Sequence, residues 1–216
     1  PKGLTWWPVD YPLGSGTMAT GWDALGNEAG CGTTVAAPAS TARIAPRSNR
    51  FGASYYHADI ANFLRTTPEA ILGTLAMASG DDTHEQKAAW LEEISLLKAA
   101  LQDRDGHIFL EFTVPRLGDR IDAVVLSGGV IIPIEFKVGA TRFGTADVNQ
   151  AWDYALDLKN FHLGSRDAEI VPILVATAAT SKPSRVSEPY TDDVYSPILA
   201  GADELGAAIT QALSGA

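Results

Sequence analysis

Ile121-Asp122-Ala123-Val124-Val125-Leu126-Ser127-Gly128-Gly129-Val130-Ile131-Ile132-Pro133-Ile134-Glu135-Phe136-Lys137 reads as two apolar strands joined by a Gly-Gly turn, with a carboxylate near each outer end. If the strands pair as a hairpin centred near Gly128, Asp122 falls opposite the end of the second strand, near Ile134 and Glu135. Strand alternation puts Glu135 and Lys137 on one face and Phe136 on the other. A lone Glu-x-Lys is explained by a solvated strand end carrying an ion pair. Asp122 changes that reading, because it interrupts an otherwise apolar strand and brings a second carboxylate to the sheet rim. Like charges that close repel unless a cation or a proton holds them, so a divalent metal site is the simplest account. Oxygen ligands suit Mg²⁺ or Mn²⁺.

Working outward, a first strand is expected at 108–114, before strands at 120–126 and 130–138, giving an antiparallel meander. Upstream, 58–64 reads as a short helix. Thr67 and Pro68 supply an N-cap and a first-turn proline for a helix to about Ala78. A longer helix at 84–102 carries the stripe Trp90, Ile94, Leu97, Leu101. Glu93 lies at the edge of that stripe and Glu92 on its solvated side, so Glu93 is a candidate acidic ligand or else an exposed glutamate. Downstream, a helix at 146–162 leads to the apolar run 170–176, which has the unbroken character of a strand buried on both faces. After a loop at 180–193 come a strand near 194–199 and a terminal helix near 202–213. The expected fold class is α/β, a mixed sheet of antiparallel meander plus parallel crossover strand, flanked by helices.

Gln150 and Tyr154 stand four residues apart on the helix at 146–162 and so share a face. With Val148, Trp152 and Ala155 packed on the sheet, the Gln amide and Tyr hydroxyl would aim toward the acidic cluster. A buried tyrosine with a satisfied hydroxyl is the alternative. A metal in the cluster would lower the pKa of a bound water and polarise a phosphate, while Lys137 positions the attacking water or stabilises developing charge. The expected chemistry is phosphodiester hydrolysis without a covalent intermediate.

Residues 1–50 are rich in Gly, Ala, Pro, Ser and Thr and lack a sustained period, so they read as a low-complexity or poorly ordered extension before a domain at 51–216. Trp6, Trp7 and Trp22 could anchor part of it. Gly14-Ser15-Gly16-Thr17 lacks the Gly-Lys-Ser/Thr ending of a phosphate loop. The single cysteine, Cys31, excludes an internal disulfide and a multi-cysteine zinc site, and no histidine stands at metal spacing with another His or Cys. No run approaches a membrane span, so a soluble, cytoplasmic chain is expected. A net charge of −10 argues against coating nucleic acid by electrostatics alone, since that relies on clustered Lys and Arg. It is compatible with a site where metal ions neutralise phosphate.

Gly118-Asp119-Arg120-Ile121-Asp122, then Ile134-Glu135-Phe136-Lys137, then Gln150-Ala151-Trp152-Asp153-Tyr154 resemble the PD-(D/E)xK nuclease superfamily, the last element its RecB-like branch with a Gln-xxx-Tyr motif. More narrowly, Tyr55 to about Ala178, including Phe109-Leu110-Glu111-Phe112, is similar to the N-terminal region of bacterial Schlafen group 3-like DNA/RNA helicases. The resemblance implies a restriction-endonuclease-like core with Asp122, Glu135, Glu93 and the Phe136 carbonyl as metal ligands and Lys137 as catalytic lysine. Gln150 and Tyr154 would position the lysine and contact the nucleic-acid backbone. Ile121 stands where the family name has Pro. Glu111 is assigned to supporting Arg116 or Arg120, or to plain structure. The implied partner is nucleic acid, DNA first and RNA as the alternative, with a helicase motor expected beyond Ala216. The rival reading is a catalytically inactive module that grips nucleic acid or docks to a helicase domain.

Overall fold

The computed structural model describes residues 54–80, 83–114, 119–180, 182–184, 187 and 189–215. The first fifty residues, with their tryptophans, Cys31 and the Gly14–Thr17 stretch, lie outside the described residues, as do Arg116 and Gly118. What is described is an α/β arrangement around one mixed, open seven-stranded sheet.

The hairpin that anchors it is β3 (Arg120–Ser127) against β4 (Val130–Lys137), antiparallel from Ser127↔Val130 to Ala123↔Ile134. Gly128 and Gly129 adopt φ 59° and 90°, the left-handed pair that a type I′ turn demands and that glycine adopts without strain. Upstream, β2 (His107–Thr113) pairs with β3, and β1 (Ser54–Asp59) pairs with β2, so the meander has four strands rather than three. The helix expected from Ala58 accordingly starts later: Asp59 ends β1 and caps α1 (Ile60–Arg65), accepting from Asn62 N at 2.8 Å. Thr67 caps α2 (Pro68–Ser79) with Pro68 in its first turn, and Thr83 caps α3 (His84–Ala100).

On the other side of β4 the sheet turns parallel. α4 (Thr145–Phe161) crosses over to β5 (Glu169–Ile170) and β6 (Ile173–Ala176), both parallel to β4. The run read as one strand at 170–176 is therefore interrupted at Val171-Pro172, although the register on β4 is unchanged across the gap. Proline cannot donate to a ladder, which accounts for the break. Pro197 acts likewise on the last strand. Val194 makes only an isolated bridge to Ile170, and β7 (Ile198–Gly201) begins after the proline, before α5 (Leu205–Gly215).

One face of the sheet carries Ile108, Leu110, Ala123, Val125, Val130, Ile132, Ile134, Phe136, Ile173 and Val175, buried with Phe63, Ile71, Trp90, Ile94, Leu97 and Ile209 from α1, α2, α3 and α5. The alternate positions Val124, Ile131 and Leu174 are also buried but belong to the opposite face, which α4 covers. No described helix is long and apolar enough to cross a membrane. Gly106, which turns the chain into β2, has φ 127°, and a Cβ there would lie 1.9 Å from the Leu126 carbonyl oxygen. Backbone cannot move aside as a side chain can. Gly106→Ala should therefore cost about 3 kcal/mol of unfolding free energy, read by urea denaturation.

Candidate active site

The β3–β4 ladder stops one pair short of Asp122 and Glu135, which the hairpin register sets directly opposite each other. There the strands part, and the side chain of Asp122 replaces backbone as the acceptor: Phe136 N–H donates to Asp122 Oδ2 at 2.8 Å. The fork has a counterpart on β2. Glu111, buried at 4% exposure, has φ 53° inside a strand, a conformation that costs a non-glycine residue about 1–2 kcal/mol. Leu110↔Ala123 and Phe112↔Ile121 keep one register on either side, so no residue is inserted and Glu111 alone leaves the ladder. Alternation inverts at that point. Phe109 and Phe112 meet edge to face with ring centroids 6.3 Å apart, though an odd and an even position of a regular strand would point oppositely. Tyr55, Glu111, Asp122 and Glu135 thus form one rung across four strands, and none of its three cross-strand pairs is part of a ladder.

Lys137 Nζ donates to Glu135 Oε1 at 2.9 Å and to Gln150 Oε1 at 2.8 Å, and lies 3.6 Å from Asp147 Oδ1. Gln150 Nε2 in turn donates to the Tyr154 hydroxyl at 2.7 Å. Because the amide oxygen faces an ammonium, the NH₂ must face the tyrosine, and the Tyr154 hydroxyl keeps its own proton for another acceptor. Burial first, then the neighbouring Glu135 and Asp122 charges, raise the Tyr154 pKa, so that proton is held firmly.

Burial and the charges of Glu135 and Glu93 push the Asp122 carboxyl well above the usual carboxylate range, against the Phe136 hydrogen bond. Burial also raises Glu135, with Lys137 opposing. Glu93, partly buried on α3, is pushed up to about 8 by burial and then by the charges of Glu111, Glu135 and Glu92. Burial works against the Lys137 ammonium, yet the Glu135 hydrogen bond and the charges of Glu135, Asp147 and Asp122 hold its pKa above the ordinary value. In the unfolded chain Glu93 ionises near 4.5, in the folded chain near 8. Between those values the folded state keeps a proton that the unfolded state has released, so stability present below 4.5 is lost as pH rises through 8. The metal-free thermal midpoint should fall across that window, and Glu93→Gln should flatten the fall; an equal slope in both proteins would refute this.

Of the six residues singled out in the sequence, Asp122, Glu135, Lys137, Gln150 and Tyr154 are set opposite or joined to one another at this fork, while Glu93 on α3 is linked to it only through its charge. Phe136, whose carbonyl the resemblance offers as a ligand, contributes its N–H to Asp122. The packing face assigned to α4 is corrected: Ala151, Tyr154, Ala155 and Leu158 are buried, whereas Trp152 is only partly buried and lies against Tyr190 with centroids 5.1 Å apart. Tyr154 is therefore itself a packing residue, with its hydroxyl at the site. Asp147 escapes sequence reasoning because the stripe was phased on Val148 and Trp152. Phasing on Ala151 and Tyr154 puts Asp147, Gln150 and Tyr154 on one side of the helix.

Compared with protein-family models, curated proteins and solved structures, the chain matches none.

Among the described residues no three His, Cys, Asp or Glu side chains are drawn together closely enough to enclose a metal ion as they stand. The donor chemistry nonetheless fits a hard cation. Glu135 Oε2 is buried and accepts no hydrogen bond, and the register sets the Asp122 carboxyl on the strand opposite. A proton or a cation is what two such oxygens require.

Proposed function

We propose that residues 51–216 form a PD-(D/E)xK-type nuclease domain with a restriction-endonuclease-like core, hydrolysing phosphodiester bonds of DNA, with RNA as the alternative substrate. The observation that carries this reading is the fork itself: Asp122 and Glu135 face each other where β3 and β4 part, with the Lys137 ammonium fixed beside Glu135. Asp122, Glu135, Glu93 and the Phe136 carbonyl are the residues that would hold Mg²⁺ or Mn²⁺. Such an ion would neutralise charge on the phosphate and acidify water at neutral pH.

The remaining parts act through this chain's own groups. Lys137 is pinned by Glu135, Gln150 and Asp147, so its ammonium needs no reordering to meet charge that develops on the phosphate oxygens. Gln150 holds that lysine and sets the Tyr154 hydroxyl as a donor at the mouth of the site, suited to a backbone phosphate oxygen. Glu111 keeps Arg120 at the rim. Burial of Glu135 strengthens its interaction with the Lys137 ammonium.

Two measurements test the proposal together. Calorimetric titration with Mn²⁺ should show uptake by the full chain and none by Asp122→Ala. Labelled single- and double-stranded DNA and RNA should be cut by the full chain with Mn²⁺ present. Absence of carboxylate-dependent uptake would favour a non-catalytic module instead, and cleavage that survives loss of both Asp122 and Lys137 would overturn the assignment.

A further inference from the structure

Arg120 starts β3, two residues before Asp122, and its side chain is 39% exposed. Two groups fix it. Its Nε lies 3.2 Å from Glu111 Oε2, and Nη1 donates to the Tyr55 hydroxyl at 2.6 Å, with the guanidinium 5.1 Å from the Tyr55 ring centroid. The buttress is itself anchored, because Trp90 Nε1 donates to Glu111 Oε1 at 2.6 Å from the core side. Nη2 makes no hydrogen bond among the described residues, so its N–H groups are left to donate to an incoming acceptor.

The cost of this arrangement argues for a ligand. Glu111 adopts a left-handed φ in mid-strand and gives up its ladder pairs to present its carboxylate to Arg120, where an ordinary strand residue would carry no strain. A carboxylate held against Nε and a hydroxyl against Nη1 orient the guanidinium plane, so that Nη2 presents a charge-assisted donor to a phosphate oxygen. The need is also local. Lys137, the cation within the fork, is already held among three partners.

We propose that Arg120, clamped between Glu111 and Tyr55, is a seat for a substrate backbone phosphate next to the one attacked. This rests on the nuclease reading above and assigns its substrate contact. Arg120 is thereby a binding residue whose loss weakens capture of the strand, while Glu111 and Tyr55 are positioning residues that act through it.

Steady-state cleavage and anisotropy titration with a fluorescent single-stranded oligonucleotide, on the full chain with Mn²⁺, distinguish the outcomes. Arg120→Gln should raise KM about tenfold with kcat within about twofold. The slope of log affinity against log salt should shrink by about 0.7, as expected for one lost phosphate contact on a single strand. Arg120→Lys keeps the charge without the fork and should fall between the two. Tyr55→Phe, which removes only the hydroxyl, should raise KM less than Arg120→Gln does. If Arg120→Gln does not fold, Arg120→Lys and Tyr55→Phe carry the same comparison. Wild-type cleavage with KM and salt slope unmoved in the variants, or with kcat reduced and KM intact, would remove the seat and leave the nuclease reading standing. A wild-type chain that neither binds nor cuts the oligonucleotide would remove both.

Discussion

Alanine in place of Lys137 should lower oligonucleotide cleavage about a thousandfold at saturating Mn²⁺, with the chain still folded by circular dichroism. The size follows from what a fixed cation contributes where charge develops: removing one such preorganised group typically costs about 10²–10³ in rate. Saturating metal matters because Lys137 is also the group that opposes the upward push on the Glu135 pKa. Without it Glu135 stays protonated to higher pH, and cation uptake at neutral pH weakens as well. A rate loss that higher metal concentration or higher pH fully restored would show Lys137 to be a tuner of Glu135 and not a participant in the reaction. Gln150→Ala should give a smaller loss, since Glu135 and Asp147 still hold the ammonium.

Trp90→Ala should be the most destabilising single change among the described residues discussed above, about 5 kcal/mol by urea denaturation. Removing a fully buried aromatic costs about 3–5 kcal/mol through lost burial and an unfilled cavity. Here the loss of its indole N–H also strips Glu111 Oε1 of a 2.6 Å partner, a further cost of about 1–3 kcal/mol for a buried acceptor. Trp90→Phe separates the two terms: it keeps most of the ring and loses only the donor, so about 2 kcal/mol is expected. Equal stability of Trp90→Phe and the wild type would mean that the indole–carboxylate bond adds nothing to the fold.

The hairpin and the convergence on it were legible because each rests on a local rule. Gly128-Gly129 between apolar runs specifies a two-residue turn, the turn specifies the register, and the register sets Asp122 opposite Glu135 without any knowledge of the rest of the chain. Helical spacing likewise linked Gln150 to Tyr154. What was not legible depended on tertiary partners. β1 is a short edge strand whose pairing with β2 no local pattern announces. The face of α4 was misjudged because Trp152 outweighs Ala151 in hydrophobicity, although the small residue is what allows close packing on the sheet. The direction of Glu111 could not be read at all, since a left-handed φ at a glutamate runs against every local preference and persists only because Trp90 and Arg120 hold it from either side.

The Gly128-Gly129 turn has a further consequence. It lies at the far end of the strands from the acidic fork, yet it is the gauge that sets that fork's alignment. One residue more or fewer in the bend would carry Glu135 and Lys137 through the sheet to its opposite side, burying both charges among the aliphatic contacts of Ile132 and Ile134. Length variation is therefore barred from this corner of the chain, however remote it is from the chemistry, and is accommodated where connections bear no such alignment.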